Sequence, residues 1–238
     1  MAQEALAIAG VSVQAAFIGF LPAIFWLWFW LKEDPHPEPR KALLLAFAGG
    51  MLIVPVALFL EEAAYKIMIE LGLVAAGAVS SSIFIIWAAI EEYMKYFAAK
   101  MTVLRLPAFD EPIDAPIYLI TAAVGFASLE NIFFLFKTIT TTPELSLITG
   151  EMRFLGATLL HIVTSAIVGM AIALSFFHPE KRSRNVLGGL IVAALLHAWF
   201  NLFIIKSGSA GVLPVFALVW LGGITLILSL EKIKKITS

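Results

Sequence analysis

An all-α bundle that crosses a membrane about seven times is the fold predicted by this 238-residue sequence. Hydrophobic residues make up 61% of the chain and charged residues 14%, whereas a soluble domain is roughly half apolar and a quarter charged. The mean hydropathy is +0.96. Apolar runs also recur at the length needed to cross about 30 Å of hydrocarbon, which takes roughly 20 residues at about 1.5 Å each.

The predicted spans have approximate limits of 10–31, 42–60, 79–104, 116–138, 153–177, 186–205 and 210–230. Only Lys206, Ser207, Gly208 and Ser209 separate the last two. Pro22, Pro55 and Pro214 fall inside spans, where each removes a backbone donor and bends the helix, whereas Pro116 opens the fourth. The first two spans are joined by a stiff, proline-rich turn from Glu33 to Arg40. Residues 61–78 are expected to include a short interfacial helix. Residues 1–238 read as one integral membrane domain, with a motif-bearing core over about 79–205.

Basic residues orient the bundle, because Lys and Arg are enriched in cytoplasmic connections. One alternate set of connections holds eleven of them and the other only Lys66, Lys137, Arg153 and Lys206. The N-terminus is therefore expected outside and the C-terminus in the cytosol. Lys95 is left as the basic residue within a span. A net charge of -1 gives no basic surface for nucleic acid, and no Gly-rich phosphate loop is present. With zero cysteines, disulfides and thiolate chemistry are excluded. The first apolar run has no preceding Lys or Arg and is too long for a cleaved signal.

Function is sought where polar groups enter hydrocarbon, since a charge near the centre of a span costs roughly 2.5–3.5 kcal/mol. The third span carries Glu91, Glu92 and Lys95; the fourth Glu130 and Asn131; the fifth His161; the sixth His197 and Asn201. Counted from the span ends at about 1.5 Å per residue, all lie roughly 6–18 Å below the outer surface, in one layer. Glu91 and Lys95 share a helix face, as do His197 and Asn201. Glu92 is rotated by about 100° from Glu91, so one acid is expected to do chemistry and the other to support it. Glu61 and Glu62, at the end of the second span, are expected to be solvated. Such a layer suits hydrolysis, with a carboxylate and an imidazole to activate water and side-chain donors for the oxyanion. Ser128 and Ser165 lack a nucleophile setting, and no pair of aspartates lies within a span.

Four motifs in order carry a family resemblance: Glu-Glu-x-x-Lys at 91–95, Gly-Phe-Ala-Ser-Leu-Glu-Asn at 125–131, the isolated His161, and His-x-x-x-Asn at 197–201. Together they resemble the PrsW-type glutamic intramembrane proteases, in the superfamily that includes the CAAX prenyl proteases, over roughly residues 15–205. Lys95, and Ala157 four residues before His161, depart from the CAAX-protease pattern and fit the PrsW branch. The resemblance implies that Glu91 and His161 activate water and that His197 and Asn201 form the oxyanion site. Glu92 stands with them in the catalytic set, and Lys95, Glu130 and Asn131 contact substrate or support the site. It also implies no metal and no cofactor. The implied substrate is a membrane-anchored protein of the anti-sigma-factor kind, cleaved at the cell membrane on the extracytoplasmic side. A zinc hydrolase using Glu91, Glu130, His161 and His197 stays open as an alternative. So do a proton or cation transporter and an inactive binding scaffold.

Overall fold

The computed structural model describes residues 2–78 and 80–236; Met1, Val79, Thr237 and Ser238, which include the predicted start of the third span and both chain ends, lie outside the described residues. The elements are α1 (Ala2–Trp30), α2 (Arg40–Leu52), α3 (Val54–Glu70), α4 (Ser81–Thr102), α5 (Asp114–Thr141), α6 (Ser146–Met152), α7 (Thr158–Ala173) and α8 (Pro179–Ile233). No strand occurs among the described residues. In hydrocarbon every backbone polar group must be satisfied within its own segment, and helices that are apolar nearly all round meet that demand.

Among the described residues, six segments are long and apolar enough to cross a membrane, at 10–33, 40–70, 114–141, 150–173, 179–206 and 213–233. The remaining predicted crossing is α4, whose 22 residues carry Glu91, Glu92, Lys95 and Lys100. At about 33 Å it is as long as a span needs to be. The first three of those charges are buried.

Two boundaries differ from the sequence reading. The second span does not end near residue 60. After a step at Ile53, with Pro55 at the start of α3, helix continues to Glu70. A turn then uses positive-φ Gly72 and Gly77, with Tyr65 Oη bonded to the Gly77 amide and the Ala78 carbonyl. The expected interfacial helix is thus the last part of α3. Helical conformation also runs without interruption through the predicted sixth and seventh spans. Phe200 nevertheless stacks on Phe216 with centroids 6.3 Å apart, where 16 residues of straight helix would separate them by about 24 Å. The two arms, 179–206 and 213–233, therefore fold back side by side.

Helices α5 and α7 form the centre. Every residue of α5 from Asp114 to Ser128 is buried, as are most of α7 from Thr158 to Ala173. Small residues permit this packing. A methyl group at Gly50 would overlap the Ala122 carbonyl, and one at Gly125 would overlap that of Phe47, so α2 and α5 cross backbone to backbone. At one end of the bundle, Asp34 Oδ1 and Oδ2 accept the amides of His36 and Glu38, and Tyr118 donates to Glu38. Burial raises the Glu38 carboxyl above its ordinary range, with the Tyr118 bond opposing the shift. Lys234 Nζ reaches Glu33 at 3.1 Å, tying the end of α8 to the first connection.

Gly125→Leu should lower stability by about 1–3 kcal/mol or more, since no side chain fits the crossing. Gly188→Ala, where nothing lies within 4 Å of the new methyl, should leave it unchanged or slightly raised. Thermal unfolding of both variants in detergent checks this.

Candidate active site

One carboxylate oxygen gathers three helices. Glu92 Oε1 on α4 accepts from Lys95 Nζ at 2.7 Å, from His197 Nδ1 on α8 at 2.7 Å, and from Thr164 Oγ1 on α7 at 3.0 Å. Lys95 is fully buried, beneath the ring of Phe126, and donates a second bond to His161 Nδ1 at 2.9 Å. That bond fixes the proton pattern. With Nδ1 accepting from an ammonium, His161 carries its hydrogen on Nε2 and donates it to Glu130 Oε2 at 2.9 Å. By the same reasoning His197 carries its hydrogen on Nδ1, toward Glu92, and leaves its Nε2 lone pair facing Glu91.

Glu91 is placed differently from its neighbour. Its buried Oε2 has no hydrogen-bond partner among the described residues. It faces His161 Nδ1 at 3.8 Å, His197 Nε2 at 3.9 Å and Lys95 Nζ at 4.0 Å. These separations are too long for direct hydrogen bonds and match groups that share one bridging atom. Glu91 also lines a largely apolar cavity of about 660 Å³, together with Glu130, His161, His197 and Asn201; Glu92 and Lys95 lie behind its wall. The His161 and His197 rings meet edge to face with centroids 5.1 Å apart.

All eight residues named from the sequence belong to this region, in distinct places. Glu91, Glu130, His161, His197 and Asn201 reach the cavity. Glu92 and Lys95 form the buried tie. Asn131 is buried behind the wall, donating to Thr158 Oγ1 at 3.1 Å and accepting from Arg153 Nε.

Sequence reasoning missed three contributors. Arg153 appeared to be a loop cation, yet its Nη2 lies 2.9 Å from Glu130 Oε2 and its guanidinium stacks on Phe134. A five-residue π-helical segment, Arg153–Ala157, joins α6 to α7 and lets Arg153 and His161 meet the same carboxylate oxygen. In a regular helix eight residues would set them about 12 Å apart and about 80° out of phase. Thr164 follows His161 by one turn, and that spacing could have flagged it. Glu61 lines the cavity instead of standing at a solvated helix end.

Glu91, His161 and His197 offer one donor atom each, all within 4.8 Å of one another. A carboxylate with two imidazoles is a set that catalytic zinc uses, and the bond from His197 to Glu92 resembles the outer carboxylates that orient zinc-bound imidazoles. The donors match a metal, but their arrangement does not fit one. The His161 nitrogen that faces Glu91 has its lone pair taken by Lys95, and a metal there would sit beside a buried ammonium. Lys95 would have to withdraw first.

The family described as "PrsW family intramembrane metalloprotease" matches residues 38–227, which contain every residue of the site. The chain belongs to the PrsW protease family. It is thus a multi-pass membrane protein of an intramembrane protease family. Proteins named Protease PrsW are similar over most of their length. That of Geobacillus kaustophilus is 29% identical over 184 residues, covering 77% of this chain and 76% of the relative. That of Oceanobacillus iheyensis is 26% identical over 206 residues (85% and 89%), and that of Bacillus subtilis 28% over 214 residues (87% and 90%). No solved structure matches significantly.

Within this PrsW-family site, Lys95→Met should cost about 3–5 kcal/mol, because it strands the buried Glu92 carboxylate. Lys95→Met combined with Glu92→Met should cost less than the single change. Chemical unfolding of the three proteins in one detergent provides the comparison.

Proposed function

We propose that this protein hydrolyses a peptide bond of a membrane-anchored substrate, using a water molecule activated by Glu91. One observation carries the reading: the unpartnered Glu91 Oε2 at the cavity wall, 3.8–4.0 Å from His161, His197 and Lys95. A water bridging Glu91 Oε2 and His197 Nε2 attacks the substrate carbonyl carbon and passes a proton to Glu91. Transfer of that proton to His197 Nε2 makes an imidazolium, whose charge Glu92 compensates through Nδ1. His197 then protonates the leaving amine as the carbon–nitrogen bond breaks, giving a carboxylic acid and an amine; the acid's remaining proton passes to the released amine, so the products leave as a carboxylate and an ammonium. Asn201, one turn along from His197 and in the same cavity, donates to the oxyanion. Both His161 nitrogens are already engaged, so it acts by holding Lys95 and Glu130 in place and by packing against His197.

The whole chain is proposed to act as one domain, with its N-terminus outside and the site in the outer half of the membrane. Its substrate class is taken as the membrane-anchored anti-sigma-factor kind that the family resemblance implies. The polar groups gather in one layer, which favours hydrolysis over a transport pathway spread across successive depths.

A metal-dependent reading draws on the word metalloprotease in the family description and on the Glu91, His161 and His197 donors. Against it, Lys95 Nζ occupies the His161 Nδ1 lone pair that a metal would need. Cleavage of a purified single-span substrate should persist in excess EDTA or phenanthroline; loss that zinc alone restores would reject the metal-free reading. Glu91→Gln should reduce kcat at least about 10³-fold while the unfolding midpoint stays close to wild type. Single-turnover cleavage alongside thermal unfolding measures both, and wild-type turnover by Glu91→Gln would reject Glu91 as the base.

A further inference from the structure

We infer that Glu61 forms an acidic subsite of the cavity, selecting a substrate with a Lys or Arg about two residues from the scissile bond. The inference rests on the protease reading above and extends it from reaction to substrate class.

Glu61 lies in the middle of α3, and its side chain lines the same cavity as Glu91. Its neighbour Glu62 points away, is mostly exposed and pairs with Lys66 at 2.7 Å. No ion pair or side-chain hydrogen bond engages the Glu61 carboxylate among the described residues. A carboxylate facing a largely apolar cavity without a cation is costly in a membrane protein, and such residues mark binding or transport sites.

The cations near the cavity form no ion pair with it among the described residues. Lys95 is behind the wall and bound to Glu92, and Arg153 is paired with Glu130 at 2.9 Å. Lys137 stands on α5 about 10 Å along the helix from Glu130. Glu61, Glu91 and Glu130 meanwhile present three acids to the cavity. A substrate side chain entering the cavity can bring a cation to Glu61. Lys and Arg suit the position, since their long apolar stems lie along a greasy wall while the head group meets the carboxylate.

The distance to the chemistry follows from a backbone contact. Trp87 Nε1 donates to the Glu61 carbonyl at 3.1 Å, which sets the Glu61 backbone against the ring of Trp87, a residue one turn before Glu91 on α4. Four residues of helix span about 6 Å, and an extended peptide covers that length in about two residues. The basic side chain therefore falls about two positions from the bond that Glu91 addresses.

The test uses the full-length protein in nanodiscs and single-span substrates in which each position within three residues of the cleaved bond is, in turn, Lys, Gln or Glu. Wild type should show, at one position about two residues away, kcat/KM for Lys at least about tenfold above that for Glu. Glu61→Gln should shrink that ratio to near unity, and Glu61→Lys should invert it while leaving preferences at the other positions in place. Inversion is a gain of cleavage on the Glu substrate, so it cannot arise from misfolding. If wild type shows no charge preference at any position, or if Glu61→Lys keeps the wild-type preference, the subsite is refuted. Absence of cleavage of every substrate by wild type would instead refute the protease reading beneath it, and wild-type turnover by Glu91→Gln would refute Glu91 as its base.

Discussion

The Glu92 carboxylate is the joint on which the site depends. A charge buried among apolar helices persists only when its partner and its hydrogen bonds are all in place. Glu92 obtains them from its own helix through Lys95, from α7 through Thr164, and from α8 through His197. Removing any one leaves an uncompensated polar group, so the three helices are held at one spacing. Lys95 then extends the joint to His161, and His161 to Glu130 and Arg153. An unbroken chain of charge-assisted contacts runs from α8 through α4 and α7 to α5 and back to the π-helical start of the α7 segment.

Against that rigid background the two adjacent glutamates acquire different work. Glu92 faces inward and its Oε1 is saturated, whereas Glu91 turns by one residue's rotation to the cavity wall with Oε2 unpartnered. A base must have room for the atom it deprotonates. The same rotation separates the imidazoles: His161 is held at both nitrogens, and His197 at one, with its second directed at Glu91. The proposed chemistry needs that inequality between otherwise similar residues.

The polar layer could be read from the sequence because hydrocarbon makes each intramembrane charge conspicuous. Glu91, Glu92, Lys95, His161, His197 and Asn201 stood out against apolar surroundings, and depth counting brought them to one level. Residues near span ends gave no comparable signal. Glu61 looked solvated because the second span was ended where charges began, yet helix continues to Glu70 and leaves Glu61 mid-helix, facing the cavity. Arg153 was hidden by a change of helical pitch that the four apolar and small residues after it, Phe154 to Ala157, do not advertise. The Ser-Gly-Ser run after Lys206 marked the boundary between the last two spans in the sequence, and the Phe200 and Phe216 stack shows the reversal there although helical conformation is continuous.

The central claim is that Lys95, and not a metal ion, occupies the space beside His161 Nδ1, leaving Glu91 and His197 to hold water. An experimental structure of the full-length protein, prepared with zinc and recorded on both sides of the zinc absorption edge, tests this most directly. The account predicts Lys95 Nζ still bonded to Glu92 and His161, no anomalous peak among Glu91, His161 and His197, and a water bridging Glu91 Oε2 and His197 Nε2. A zinc peak within about 2.2 Å of Glu91, His161 and His197, with Lys95 withdrawn, would contradict it.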